Sequence, residues 1–351
     1  MSQQRSLSNS GPGGAGPSLS EEGERSRERA ILHRHGQEGA ALLTAMIIVA
    51  LVATLAGGMI WQQWRAIQVE AAERARTQSA WILSGALDWA RLILREDARN
   101  GGVDHLGEPW AVPLAEARLS TFLAADKDNT DDAPDAFLSG AITDALARYN
   151  LTNVVTGNRV DPAELAALQR LCETLGVSAD VATRIASGLR DAAPPQPADP
   201  AASGAAAVVA APADPPLMPR SVRQLGWLGI DAESLRLLEP YVVLLPEKAW
   251  VNVNTAPREV LVAAIAGLDL ATAERIVQAR QRTPMKSVAD IQTLAPGLPS
   301  SAFERLAVGS NFFEVRGRLR LGDVVLEQRS LVQRRGLDVA VLQRDRVSAR
   351  D

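Results

Sequence analysis

The sequence predicts an α+β fold in which one long N-terminal helix packs on a small antiparallel sheet that carries a large helical insertion. Residues 39–61 form an uncharged apolar run, and no proline interrupts the helical pattern that continues to residue 96. Near the C-terminus, residues 313–321 alternate strictly between polar and apolar, as a strand with one buried face does. Between them, residues 161–310 carry several helix-start signals.

The composition is that of a folded protein and gives little support to catalysis. Hydrophobic residues make up 46% of the 351 positions, and the net charge of −4 gives no global reason to expect a nucleic-acid partner. Cys172 is the only cysteine, so an intramolecular disulfide is excluded and a core position is expected. There are only three histidines and no phosphate-loop motif, so we predict that the chain is not an enzyme.

The first residues predict a leader and a membrane segment. Residues 1–38 are rich in Ser, Gly, Glu and Arg and lack apolar periodicity, which predicts disorder. A helix is predicted over residues 40–99, and its first part, about 40–61, would span ~33 Å, enough to cross a bilayer. Arginines before this run favour a cytoplasmic N-terminus and a single pass. A cleaved secretory signal is the alternative, although its apolar region is usually shorter.

The remainder of this helix is amphipathic and must pack on another element. Asn100-Gly101-Gly102 provides its C-terminal stop. The apolar positions of this part that recur mostly at three- and four-residue steps are Ala71, Ala75, Ile82, Leu83, Ala86, Trp89, Ile93 and Leu94.

A basic leader that ends in glycine before such a helix resembles the type IV pilin and pseudopilin class, in which a prepilin peptidase cuts after a glycine and methylates the new N-terminus. Cleavage after Gly36 or after Gly39 would fit. Gly39 is preferred, because Ala40-Ala41-Leu42-Leu43 is similar to the start of K-type minor pseudopilins of type II secretion. The class usually has a glutamate five residues after the cut. Here that position is Thr44, and K-type members generally lack the glutamate too; a tip subunit has no neighbouring amine to pair with it.

By the same resemblance, residues 100–160 form the α/β part of a pilin-like fold. Asp104-His105-Leu106-Gly107-Glu108-Pro109-Trp110-Ala111 is similar to the family's Asp-x-Leu-x-Glu-x-Trp-Ala signature, with Trp110 as a loop anchor. The segments Gly140–Asp144 and Arg148–Asn153 resemble a strand pair of the family, and Asn150 and Asn153 belong to its motif.

An acidic loop between these motifs suggests calcium as a cofactor. Asp126, Asp128 and Asp132 are candidate ligands, since Ca²⁺ takes about six to eight oxygens and calcium sites occur in the family. The spacing is not that of an EF-hand, because Asp131 and Phe137 stand where glycine and glutamate are required. A solvated acidic loop is the alternative, and the family's Asp-Trp-Ile-Asp-x-Asp and Gly-Ala-Glu motifs are absent.

The insertion, residues 161–310, starts at an N-cap, Asp161, that is followed by Pro162 and Glu164. A second helix is predicted near 179–189. Residues 191–219, rich in alanine and with eight prolines, are predicted to be an extended linker. Residues 221–228 and 287–294 match at their apolar positions, each before a glycine turn and another helix, which predicts two small helical units.

The family motif of the insertion is Val251-Asn252-Val253-Asn254-Thr255-Ala256-Pro257, in which alternation predicts a strand that enters a helix at 257–266. Thr255 is the predicted N-cap, and Asn252 and Asn254 are predicted structural residues.

Residues 252–294 also resemble the helix-hairpin-helix module of DNA-uptake proteins, which binds phosphate at a glycine turn. A membrane-anchored DNA-binding module is therefore the alternative function. The turn reads Gly267-Leu268-Asp269, so a carboxylate stands where the phosphate would lie. Five basic residues against four acidic ones are too small an excess for a DNA binder, and nucleic acid is not the expected partner.

Residues 311–351 are predicted to complete the sheet. The alternation of 313–321 places four apolar residues on one face and Glu314, Arg316, Arg318 and Arg320 on the other. Gly322-Asp323 is the predicted turn, with strands at 324–332 and about 339–343. We interpret the arginine face as solvated, with a subunit interface as the alternative.

The resemblance implies a structural minor pseudopilin at the tip of the type II secretion pseudopilus, which initiates or caps its assembly. Implied partners are the I-type and J-type minor pseudopilins, other pseudopilus subunits, prepilin peptidase and lipid. The implied location is the bacterial inner membrane, with the C-terminal domain in the periplasm. A bulky insertion fits a tip position, because it would obstruct a subunit stacking above it.

Overall fold

The structure is a computed structural model that describes residues 21–119, 136–193, 215–322 and 324–348, with side chains from Gly39 onward. Helix α1 runs from Glu21 to Asn100 and ends where Gly101 and Gly102 take φ values of 65° and 126°. The predicted disorder of the leader is thus wrong for residues 21–38. No proline occurs from residue 18 to residue 108, and Glu, Arg and Ala favour helix, so nothing in the sequence breaks it.

The chain divides into two compact units, residues 1–74 and 75–351. In the first unit, residues 39–74 are exposed throughout. The helix is long and apolar enough to cross a membrane, with a mean hydropathy of 2.4 over an 18-residue window. The Thr44 hydroxyl donates to the carbonyls of Ala40 at 3.0 Å and Ala41 at 2.9 Å, so this polar group is satisfied within its own helix.

The second unit holds all other elements. Among the described residues the further helices are α2 (Pro162–Thr174), α3 (Ala179–Ala192), α4 (Ala232–Leu238), α5 (Arg258–Ala264), α6 (Leu270–Arg282) and α7 (Val288–Leu294). The strands are β1 (Leu114–Arg118), β2 (Ala136–Asp144), β3 (Tyr149–Asn150), β4 (Val155–Thr156), β5 (Arg159–Val160), β6 (Val242–Val243), β7 (Val251–Asn252), β8 (Leu306–Ala307), β9 (Phe312–Leu321), β10 (Val324–Arg335) and β11 (Asp338–Ser348).

Five strands form an antiparallel sheet in the order β1-β2-β9-β10-β11. The sequence predicts a small antiparallel sheet but neither β1 nor this order. The alternation of β9 is confirmed, since Phe313, Val315, Leu319 and Leu321 are buried. Strands β10 and β11 are longer than predicted, and their pairing from Leu326 to Arg335 explains why. Backbone hydrogen bonds between paired strands can extend a strand through polar residues, and the hydropathy of the sequence gives no sign of this extension.

Helix α1 packs on this sheet through residues at four- and three-residue steps. Leu87, Ala90 and Leu94 contact Ile142, Phe313, Val315, Val332 and Val339. Trp89, which the sequence places on the packed face, is instead 50% exposed. The prediction assigned the face from hydropathy alone, whereas the packed stripe follows the small and aliphatic side chains that let the helix approach.

Gly317 marks the close approach of α1 to the sheet, and Gly140 marks the close pairing of β2 with β9. Gly140 of β2 is paired with Gly317 of β9. A Cβ on Gly317 would lie 3.1 Å from Leu83 Cδ2 of α1, and one on Gly140 would lie 2.7 Å from the Arg316 carbonyl oxygen.

Strands β2 and β9 are neighbours, so the chain between them forms one connection that contains the helical unit. The predicted boundary at 161 is too late, because Tyr149, Leu151 and Val154 are part of the core of that unit. The predicted strand pair of residues 140–144 and 148–153 is also wrong. Residues Ala145–Ala147 form a 3-10 helix, and β3 pairs in parallel with β6 instead.

Within the helical unit, the Asp161 cap is confirmed, since its carboxylate accepts from the amides of Ala163 and Glu164. Cys172 is buried in the core as expected. The repeat is only partly α-helical. Val222–Leu228 of the first copy is a 3-10 helix, and so is Ser300–Phe303, where a helix is expected after the glycine turn of the second copy. Strand β7 pairs in parallel with β8, which brings the start of the insertion motif beside the returning chain.

Candidate functional site: a buried polar junction

The polar residues of the sequence motifs converge where the chain leaves the sheet after β2 and returns to it before β9. We call this cluster the polar junction and define it as Asp104, Asp144, Asn252, Thr255, Ser310 and Arg334. All except Arg334 are buried, and the Arg334 side chain is only 11% exposed. Polar groups at such depth must find partners, because an unpaired one costs the full desolvation penalty.

Asp104, the first motif residue after α1, joins three elements. Its Oδ2 accepts from the amide of Ser310 at 2.6 Å, and its Oδ1 accepts from Arg334 Nη2. Its backbone amide donates to the Val308 carbonyl at 3.1 Å. Arg334 also donates to Asp97 of α1 and to the Ser310 carbonyl, so one guanidinium links α1, the returning chain and β10.

Asp144, at the end of β2, is buried without a cation beside it in the described part of the chain. Its Oδ1 accepts from the Leu146 amide at 2.7 Å, while its Oδ2 accepts from Asn252 Nδ2 at 2.9 Å and from the Thr255 hydroxyl. Thr255 is therefore not the helix cap that the sequence predicts. Pro257 precedes α5, and the Thr255 hydroxyl is directed to the Asp144 carboxylate instead.

Asn252 is the centre of the junction. Its Nδ2 donates to the Asp104 carbonyl at 3.0 Å, to Asp144 and to Ser310 Oγ at 3.2 Å, and its Oδ1 accepts from the Asn254 amide. A side-chain amide offers both donors and an acceptor, so it can satisfy backbone and carboxylate partners together.

Glu108 and Trp110 organise the neighbouring loop. Glu108 Oε2 accepts from the His105 amide and from Trp110 Nε1, both at 2.8 Å. Trp110 is buried and meets Phe313 of β9 edge-on, with ring centroids 5.2 Å apart. The anchoring role predicted for Trp110 matches this position.

Three further motif asparagines fasten backbone segments. Asn254 bonds to the carbonyl and the amide of Met285 at 2.9 and 2.8 Å. Asn153 holds both backbone groups of Ala249, and Asn150 accepts from the Leu245 amide. Each asparagine side chain thus makes the hydrogen bonds to a backbone segment that a neighbouring strand would otherwise make.

Burial raises the pKa values of the junction carboxylates. Desolvation is the main cause for Asp144 and for Asp104, where hydrogen bonds from Ser310 oppose it. Asp97 is raised by burial too, against the hydrogen bond from Arg334. The hydrogen-bond donors therefore offset only part of the cost of burying the charged form of these carboxylates.

Oxygens of Asp97, Asp104 and Glu108 lie within 4.8 Å of one another. This cluster does not suit a metal ion, because Arg334 lies between the first two and Glu108 Oε2 is engaged by two N–H groups. The calcium candidates Asp126, Asp128 and Asp132 lie outside the described residues, so calcium binding there stays a prediction.

The processing residues Gly39 and Ala40 lie on α1, far along the chain from the junction, and are exposed. The turn of the helix-hairpin-helix resemblance is present, with Gly267 at φ 82°. Asp269 caps α6 there, accepting from the Thr272 amide and hydroxyl at 2.8 Å each, so a carboxylate stands at the turn where the resemblance implies a phosphate site.

Sequence reasoning missed the junction residues Ser310 and Arg334 and the Arg334 partner Asp97, and it treated Asp144 only as part of a strand. The available signal was weak. Arg334 lies just beyond the strand predicted at 324–332, whose polar residues look solvated, and only the antiparallel pairing of β10 with β9 brings it near α1.

Comparisons with known proteins match most of the chain. Residues 251–308 and 147–247 match two family models described as type II secretion system (T2SS), protein K. The chain is 33% identical to type II secretion system protein K of Pseudomonas aeruginosa, over 91% of this chain and 93% of that protein. Proteins of the same name from Pectobacterium carotovorum subsp. carotovorum and Klebsiella pneumoniae are 31% and 32% identical, over 89% and 88% of this chain and 97% and 96% of theirs.

A solved structure has the same fold. It belongs to the GspK-GspI-GspJ complex from the enterotoxigenic Escherichia coli type 2 secretion system, with a TM-score of 0.60 and 22% identity. The match covers 79% of this chain and 99% of that one.

Proposed function

The chain belongs to the type II secretion system protein K family, and we propose that it is a structural minor pseudopilin at the tip of the pseudopilus. In this position it would initiate or cap assembly for protein export. The part it plays is mechanical rather than catalytic.

One observation carries this proposal. Helix α1 contains an uncharged, fully exposed segment at residues 40–61 and, further on, the residues Leu87, Ala90 and Leu94 that pack on the sheet. The same helix can therefore anchor the chain in lipid and serve as the spine of the folded unit. The insertion supports the tip position, since a large unit between β2 and β9 would hinder a subunit stacking above.

We propose cleavage after Gly39, with the chain held as a single pass in the inner membrane and its C-terminal domain in the periplasm. Mass spectrometry of the mature N-terminus tests this directly, and methylated Ala40 is the expected result. Gly39→Leu should block processing while Gly36→Leu should not. Processing that stops only in the second variant would move the cut to Gly36, and an intact leader in the unaltered chain would contradict the proposal.

The proposed partners are I-type and J-type minor pseudopilins, because the structural neighbour was solved in a complex with such proteins. Co-expression of the full chain with the I- and J-type subunits of its own system should yield a defined complex on detergent extraction and size-exclusion chromatography. If the processed chain elutes alone at every protein ratio, the assembly role is wrong.

The DNA-uptake alternative is weakened by Asp269, whose carboxylate fills the turn that would receive a phosphate. A gel shift at low salt is the matching test. Tight duplex binding that the Asp269→Asn variant further strengthens would revive that function.

A further inference from the structure

A cleft of about 1240 Å³ lies between the polar face of the sheet and the helical unit. We call it the arginine cleft. Its charged lining residues are Arg148, Arg220, Arg223, Arg236, Glu239, Glu314, Arg316, Arg318, Glu327, Arg329, Asp345 and Arg346.

The charge of the cleft is opposite to that of the chain. Eight arginines against four carboxylates give the lining an excess of four positive charges, whereas the whole chain carries −4. All its cations are arginines, which keep their charge at any physiological pH. Cleft walls of low dielectric focus such a field onto an approaching ligand.

Three of the four cleft carboxylates, Glu239, Glu314 and Glu327, are paired with arginines, whereas Asp345 accepts a hydrogen bond from Gln343. Arg148 pairs with Glu314 at 3.0 Å, and Glu327 lies 3.5 Å from both Arg316 and Arg329. In the part of the chain that the structure describes, no ion pair involves Arg220, Arg318 or Arg346. The excess guanidinium groups therefore remain open to an external anion.

Arg329 gives an independent indication. Its Nε is buried and has no hydrogen-bond acceptor among the described residues. The Glu327 oxygen at 3.5 Å is close enough for an ion pair but does not accept a hydrogen bond from it. A buried donor without an acceptor is unfavourable. Glu327 therefore does not satisfy the Arg329 guanidinium, and the side chain, which lines the cleft and is 30% exposed, can meet an external anion through its other nitrogens.

Carboxylates fit this cleft better than a phosphate backbone. Guanidinium groups bind carboxylates and phosphates alike in two-point geometry, so the acidic residues of the cleft decide between them. A nucleic-acid strand presents phosphates without interruption, whereas Glu314 and Glu327 stand between the arginines of the sheet and would repel part of such a strand. A protein segment can place neutral residues beside these two glutamates.

We propose that the arginine cleft docks an acidic segment of a protein partner. The inference goes beyond the assembly role above and does not depend on it, because the cleft is complete within this chain. Binding should weaken with salt, as electrostatic recognition at a partly open site does.

Fluorescence anisotropy with the full chain in detergent and a labelled oligo-glutamate peptide tests this proposal. The variant Arg220→Gln, Arg318→Gln, Arg346→Gln should bind about tenfold or more weakly than the unaltered chain. The matched control, Arg159→Gln, Arg184→Gln, Arg282→Gln, removes three exposed arginines outside the cleft and should stay within about twofold.

Two further measurements decide the remaining outcomes. Photo-crosslinking of the same peptide to the unaltered chain should label residues 314–331 and 220–244, a result that needs no variant to fold. Equal loss in both triple variants, labelling elsewhere, or no binding at low salt would overturn the proposal. Single-stranded DNA or inorganic phosphate that competes as well as the peptide would assign the cleft to phosphates and overturn it too.

Discussion

The sheet is held on one side by the apolar contact with α1 and at its end by the polar junction with the helical unit, and these two regions use opposite chemistry. Leu87, Ala90 and Leu94 bury surface that gains from any close packing. Asn252 and Asp144 must meet particular atoms at particular distances. The first contact is therefore tolerant of exchange between aliphatic residues, whereas the second has few permitted alternatives.

The largest expected effect lies where the two regions meet. Trp110→Ala removes a buried ring from the apolar core and leaves Glu108 with only the His105 amide as a donor, so the free energy of unfolding should fall by about 4 kcal/mol. Chemical denaturation of the full chain in detergent measures it. Trp81→Ala, at a position 75% exposed, should cost less than about 1 kcal/mol. Similar losses in both variants would contradict the packing role of Trp110.

Breaking the polar junction alone should lower the free energy of unfolding nearly as much. Arg334→Gln leaves Asp97 and Asp104 buried without their cation, which predicts a loss of about 3 kcal/mol. The neighbouring Arg335, 70% exposed and 3.4 Å from Glu247, is the control, and Arg335→Gln should cost less than about 0.5 kcal/mol. Equal costs for the two arginines would mean that the junction adds nothing beyond surface charge.

A single hydroxyl provides a finer test. Thr255→Val keeps the side-chain shape and removes a hydrogen-bond donor to Asp144. We expect the free energy of unfolding to fall by about 2 kcal/mol. The exposed Thr293, whose hydroxyl bonds to a carbonyl of its own helix, should lose less than about 0.5 kcal/mol on the same change. A neutral Thr255→Val would show that Asp144 is satisfied without it.

The smallest expected effect is a change in pH dependence. Because burial raises the pKa of Asp144 above its usual 3.8, its contribution to stability is complete below that value and is lost as pH rises through the raised pKa. As pH rises above about 4, the free energy of unfolding of Asp144→Asn should therefore fall less steeply than that of the unaltered chain.

The pKa of Asp269 is shifted in the opposite direction, so its effect on stability should have the opposite pH dependence. Cap hydrogen bonds lower its pKa below 3.8, so its contribution is present above that value and is lost as pH falls through the lowered pKa. Urea titrations at several pH values measure both. An unchanged slope in Asp144→Asn would contradict the assignment of Asp144 as a buried acid with a raised pKa.

Local patterns were enough to predict much of the fold. The alternation in β9, the Asp161 cap and the glycines that end α1 all follow from properties of neighbouring residues. The predictions that proved wrong involve distant partners. Thr255 has the spacing of a cap, yet the carboxylate of Asp144, 111 residues away, takes its hydroxyl.

The motif residues of the candidate site show the same division. Asp104, Glu108, Trp110, Asn252 and Asn254 stand out in the sequence, but their common location does not. The insertion between β2 and β9 brings them together, and Ser310 and Arg334 join them only because β9 and β10 fold back beside α1.

The sequence by itself determined the long helix, its uncharged run, the half-buried strands and the family. These depend on periodicities that a few neighbouring side chains encode. Only the tertiary structure decided which carboxylate meets which donor, which stripe of α1 packs, and that arginines from the sheet and from the helical unit line one cleft. Those outcomes depend on contacts between residues that are in several cases more than a hundred positions apart in the sequence, and no local pattern specifies them.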